Sequence, residues 1–68
     1  MQLIEGKWSF PQGRTERTWL ADDESELKAD FDPTSAVGSS IIVISTGDVW
    51  MKNSKMMWQK MGSSEVLV

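Results

Sequence analysis

Cysteine and histidine are both absent from this 68-residue chain. Without cysteine there can be neither a disulfide nor a thiolate metal site. Without histidine the commonest metal ligand and the usual general base near neutral pH are missing. The opening stretch MQLIEGKWSF lacks a basic n-region and a long apolar run, so neither a signal peptide nor a membrane span is expected. The glycines, Gly6, Gly13, Gly38, Gly47 and Gly62, stand alone, and none builds a phosphate-cradling loop. No nucleophile–base pair is recognisable, no cofactor is expected, and an enzyme is the least expected class.

What remains is one small domain spanning residues 1–68. Surface dominates volume at this length, and a single small core nets only about 3–5 kcal/mol. Small domains commonly add disulfides, a metal or a partner subunit. With cysteine and histidine gone, oligomerisation is the reinforcement left. The net charge of −3 hides a polarity along the chain. Residues 21–32 carry Asp22, Asp23, Glu24, Glu26, Asp30 and Asp32 against Lys28, whereas residues 49–62 carry Lys52, Lys55, Lys60 and no acid. Opposed patches of this kind pair within a fold or between neighbours. The plainer reading is an acidic loop beside a lysine-edged hairpin.

The pattern predicts a small all-β fold, an antiparallel meander or barrel of about five strands. LIEGKWSF alternates Lys7 and Ser9 with Trp8 and Phe10, as a strand with one wet face does. PQG is turn chemistry, and RTERTWLA reads as the returning strand of a hairpin within residues 1–20. Trp8 and Trp19 are expected to pack under that hairpin. The acidic connection, residues 21–38, contains the one helical candidate, near 23–31. Asp23 can cap it, Glu26 completes a capping box, Leu27 and Phe31 share a face, and Pro33 stops it. Ile41, Ile42, Val43 and Ile44 are all β-branched, which predicts a central strand covered on both faces. The breaks at STGD and NSK then divide residues 39–62 into a three-stranded meander. Residues 63–68 follow as an edge strand or an arm.

Three groups of residues invite a functional reading. Trp50 and Trp58 lie eight positions apart across a turn, which places them opposite or diagonal on neighbouring strands. A core pair, worth about 0.5–1.5 kcal/mol beyond its burial, is the plainer reading. A stacking platform for bases is disfavoured by the acidic balance, so no nucleic acid is expected. Met56 and Met57 must face opposite sides, and an outward methionine beside lysines suits an adaptable contact surface. Asp22, Glu24 and Glu26 imitate the first ligands of a calcium loop, but Leu27 stands where glycine is required, so no metal is expected. The terminal VLV could add as a strand to a partner's sheet. The expected interface is therefore Trp50, Met51, Met57, Trp58, Val66, Leu67 and Val68, with the indoles as anchors.

From Trp19 to Gly62 the chain resembles a module of small phage and prophage structural proteins. The residues that carry the likeness are ADFDPTSAVGSS, IIVI, STGDVWM, NSKMMW and QKM, a TG-x-V-aromatic hairpin followed by a tryptophan. The resemblance implies a non-enzymatic virion accessory of the head-fibre, decoration, connector or tail type, made in the host cytoplasm. It also implies symmetric assembly, with a homotrimer favoured, and contact with a larger capsid or tail protein. A second reading of the same pattern is a monomeric SH3-like adaptor or inhibitor that binds a host protein or peptide.

Overall fold

In a computed structural model of the chain, residues 1–28 and 31–67 are described. Alternation in the first two segments produces β1 (Gln2–Ser9) and β2 (Arg14–Ala21), paired antiparallel. Residues 10–13 join them, and Gly13, at φ 64°, returns its N–H to the Ser9 carbonyl at 2.9 Å. The pairing is interrupted once, by a bulge between Leu3 and Glu5. The β-branched run forms β3 (Ser40–Val43), and the two short hairpins that follow supply β4 (Val49–Lys52) and β5 (Trp58–Lys60). All five make one sheet in the order β1-β2-β3-β4-β5.

The fold is all-β, but the sheet is mixed. β3 runs parallel to β2, with Trp19 beside Ile41 and Ala21 beside Val43. An antiparallel meander needs only a tight turn between neighbours, whereas parallel strands require a long crossover. The acidic connection is that crossover. It contains no α-helix among its described residues, only a 3-10 turn at Glu24–Glu26. The Asp23–Glu26 capping box does form, yet Leu27 is already extended, at φ −76° and ψ 133°. Ala29 and Asp30 of the expected helix lie outside the described residues.

The crossover replaces a second sheet. Register places Trp19, Ala21, Ile41, Val43, Trp50 and Trp58 on one face. Leu27 and Phe31 from the crossover, with Met1 and Leu67, pack against that face. Phe31 is the keystone, edge-on to Trp19 at 4.9 Å between ring centroids and tilted against Trp58 at 6.4 Å. Only one face is sealed in this way. Ile41 and Val43 are fully buried, while Ile42 is half-buried and Ile44 exposed, so β3 is central without being covered on both sides.

Candidate functional site

The crossover is fastened to the sheet by one carboxylate. Asp32 sits in the left-handed region at φ 48°, a conformation aspartate tolerates better than most residues. Its Oδ2 accepts the Trp19 indole N–H at 2.8 Å and the Ser35 hydroxyl. Its Oδ1 accepts the Arg17 guanidinium at 3.1 Å and the Thr34 hydroxyl at 3.2 Å. The Asp32 carbonyl accepts the ammonium of Lys52 at 2.8 Å. Burial pushes the Asp32 carboxyl up, but the bonds from Ser35 and Trp19, the Arg17 charge and Thr34 outweigh it and hold it below the usual carboxylate range. Burial pulls the Lys52 ammonium down, against the opposing pull of Asp32, and its Nζ lies 5.5 Å from the Trp58 ring centre. The Asp32 carboxylate is met by four donors of its own chain, and the cluster positions the loop.

A motif for this knot stands in the sequence as DPTS, residues 32–35. Aspartate before proline, with hydroxyls two and three residues on, is turn chemistry in which side chains bond back locally. Its long-range partners, Arg17, Trp19 and Lys52, become visible only once β2 and β4 share a face.

The residues expected to form an interface have separate fates. Trp50 and Trp58 are each only 1% exposed and belong to the chain's own core, so neither indole is open to a partner in this fold. They are diagonal rather than opposite, since Trp50 faces Lys60 and Lys52 faces Trp58. Met51 and Met57 are half-buried and line two shallow grooves, of about 290 and about 330 Å³. Val66 bridges to Gln59 and the Leu67 N–H bonds the Trp58 carbonyl at 2.9 Å, so the tail covers its own β5 edge. Val68 lies outside the described residues. Lys60 pairs with Asp48 at 3.2 Å and Glu65 at 3.7 Å, neither of which belongs to the acidic segment 21–32.

The exposed apolar surface lies at the other end of the sheet. Trp8, expected beneath the hairpin, is 51% exposed, and Phe10 at the tip is 86% exposed. The two rings meet edge-on at 6.3 Å and cover one another rather than the core. Leu3 and Ile4 are also about half exposed, at 47% and 50%. The reason is geometric, because the crossover reaches β2 and stops. Arg14 holds the Pro33 carbonyl and Arg17 holds Asp32, so the covering loop ends one strand short of β1. Between Trp8 and this loop is an open pocket of about 370 Å³, walled also by Gly13, Arg14, Thr15, Arg17 and Thr34. β1 is therefore a long edge strand with apolar side chains and, among the described residues, an unpaired outer backbone, the feature that templates strand addition.

Among the described residues, no group of three or more acidic, histidine or cysteine side chains is placed to hold a metal ion. No helix among them is long and apolar enough to cross a membrane. No family model, curated protein or solved structure matches the chain.

Proposed function

We propose that this chain is a non-enzymatic bacteriophage virion protein, a structural or accessory component working through contacts with its own copies and with a larger capsid or tail protein. The observation that carries the reading is β1, an edge strand left open with Leu3, Ile4, Trp8 and Phe10 exposed. A small domain gains from covering such a surface, and contiguous exposed apolar residues mark interaction sites. The TG-x-V-aromatic hairpin supplies the virion context. Its tryptophan, Trp50, serves the core, while its valine, Val49, is half-buried beside Ile42 on the other face, so the largest exposed apolar side chains are those of the first hairpin.

Mass spectrometry of purified particles from the encoding phage or prophage tests the assignment. The chain is expected in particles at a fixed ratio to the capsid or tail protein. Its absence from particles, together with recovery on a host protein in infected cells, would replace the assignment with the adaptor reading.

A further inference from the structure

We propose that β1 pairs antiparallel with β1 of a second copy about a two-fold axis at Gly6, joining two sheets into one. This rests on the interaction role proposed above and names the partner. The chain covers one edge of its sheet and not the other. β5 is met by the bridge from Val66, whereas β1 has β2 as its sole neighbour among the described residues. Natural edges are blunted by proline, short length, charges or a bulge that twists the edge away. β1 runs from Gln2 to Ser9 without proline, and its bulge at Leu3/Glu5 leaves an uninterrupted stretch from Glu5 to Ser9.

Charge selects both the occupant and the register. Glu5 and Lys7 point to the same face, opposite Thr18 and Glu16 of β2. A two-fold normal to the sheet keeps faces matched, so the axis must pass through a residue. Centred on Glu5 it opposes two glutamates, and centred on Lys7 it opposes two lysines. Centred on Trp8 it leaves Glu5 without a cation opposite. Centred on Gly6, Glu5 faces the partner's Lys7 and Lys7 faces the partner's Glu5, so opposite charges meet twice. The two charges that would deter a foreign strand become complementary to their own copy.

Gly6 adds a second observation. Glycine inside a strand weakens it and commonly marks close approach by another backbone. Its own fold makes no demand for it: its φ is not in the left-handed region, and a Cβ there would meet only Thr15 Cγ2, at an ordinary 3.6 Å. At a Gly6 axis the bare site lies diagonal to Trp8 of the partner subunit, near enough for an indole to lie over it. A two-fold contact of this kind closes as a dimer, in place of the trimer that the resemblance implies.

Sedimentation equilibrium of the full chain over a concentration series at low salt tests the pairing. The expected species is a dimer of the 7.7 kDa chain. Lys7→Glu and Glu5→Lys, each alone, should weaken it about tenfold or more, while an equimolar mixture of the two recovers a heterodimer. The double exchange Glu5→Lys/Lys7→Glu should restore the homodimer. Circular dichroism checks the fold of each variant, and Glu5→Lys is the cleaner one because Lys7 also faces Glu16 within its own hairpin. A monomer at every concentration, a trimer, or a dimer indifferent to these exchanges would overturn the proposal. A monomer that is nevertheless present in particles would sink this pairing alone and leave the virion reading standing.

Discussion

The Trp19 indole donates to the Asp32 carboxylate at 2.8 Å, joining the middle of the sheet to the loop that roofs it. Through Asp32 the same loop also holds Arg17 and Lys52, and beside it Phe31 fills the space between Trp19 and Trp58. In a sheet with one covered face, whatever holds the cover holds the core.

Asp32→Asn should therefore be among the most damaging single-atom changes available. Asparagine tolerates the left-handed backbone, so the substitution tests the carboxylate rather than the turn. An amide nitrogen would replace either the oxygen that accepts from Trp19 and Ser35 or the one that accepts from Arg17 and Thr34. Leaving such partly buried donors unpaired costs about 1–3 kcal/mol. Urea unfolding should show that loss, with a midpoint shift at unchanged slope.

Acid should act through the same residue. The Asp32 carboxyl is held below its ordinary value of 3.8, despite burial, by Ser35, Trp19, Arg17 and Thr34. A carboxyl depressed by folding contributes stability that is full above the unfolded value and lost as pH falls through the folded one. Asp23 and Asp48 are shifted in the same direction by their hydrogen bonds, at the surface. Melting temperature should be level above about pH 5 and fall below about pH 4. In the Asp32→Asn variant that fall should be shallower. An equal acid slope in both proteins would remove Asp32 as its main source.

The strands were legible because each rests on local chemistry. Alternation around Trp8 and Trp19, the PQG turn, the β-branched run at Ile41 and the glycine at 47 each predict a strand or break where one occurs. The parallel pairing of β2 with β3 was not legible, because no local feature of residues 22–39 distinguishes a return turn from a crossover. Burial of the tryptophans was legible only in part. Trp8 and Trp19 sit in equally alternating strands, but the crossover reaches the strand of Trp19 and not that of Trp8. The Asp32 knot joins residues far apart in sequence, so only its local DPTS half could be read in advance.

Two buried tryptophans should respond differently to the same replacement. Trp58 donates its N–H to the Phe31 carbonyl at 2.9 Å, whereas the N–H of Trp50 is buried without an acceptor among the described residues. Phenylalanine removes similar volume from both sites. At Trp58 it orphans a carbonyl of the roofing loop, and at Trp50 it removes an unmet donor. Trp58→Phe should therefore destabilise more than Trp50→Phe, by about 1–3 kcal/mol. For a domain of this size each kcal/mol is about 4–8 °C in melting temperature, well within calorimetric resolution. Equal losses would mean that volume alone governs both sites.

The turn between β4 and β5 offers a different case, a change that should relieve backbone strain. Asn53 organises it, its side-chain oxygen accepting the N–H groups of Lys55 at 2.9 Å and Met57 at 3.1 Å. That geometry forces Met56 into the left-handed region at φ 62°, where a Cβ crowds the following carbonyl. The Met56 side chain is 36% exposed, so its removal gives up burial, equally in glycine and alanine variants. Relief of about 1–2 kcal/mol of backbone strain is partly offset by the greater freedom glycine gives the unfolded chain, about 0.5–1 kcal/mol. Met56→Gly should then be more stable than Met56→Ala by about 0.5–1 kcal/mol. Met56→Ala deletes the same side chain but keeps the crowded Cβ, so it should not share the relief. If both variants are equally stable in urea, the crowded Cβ is not a source of strain.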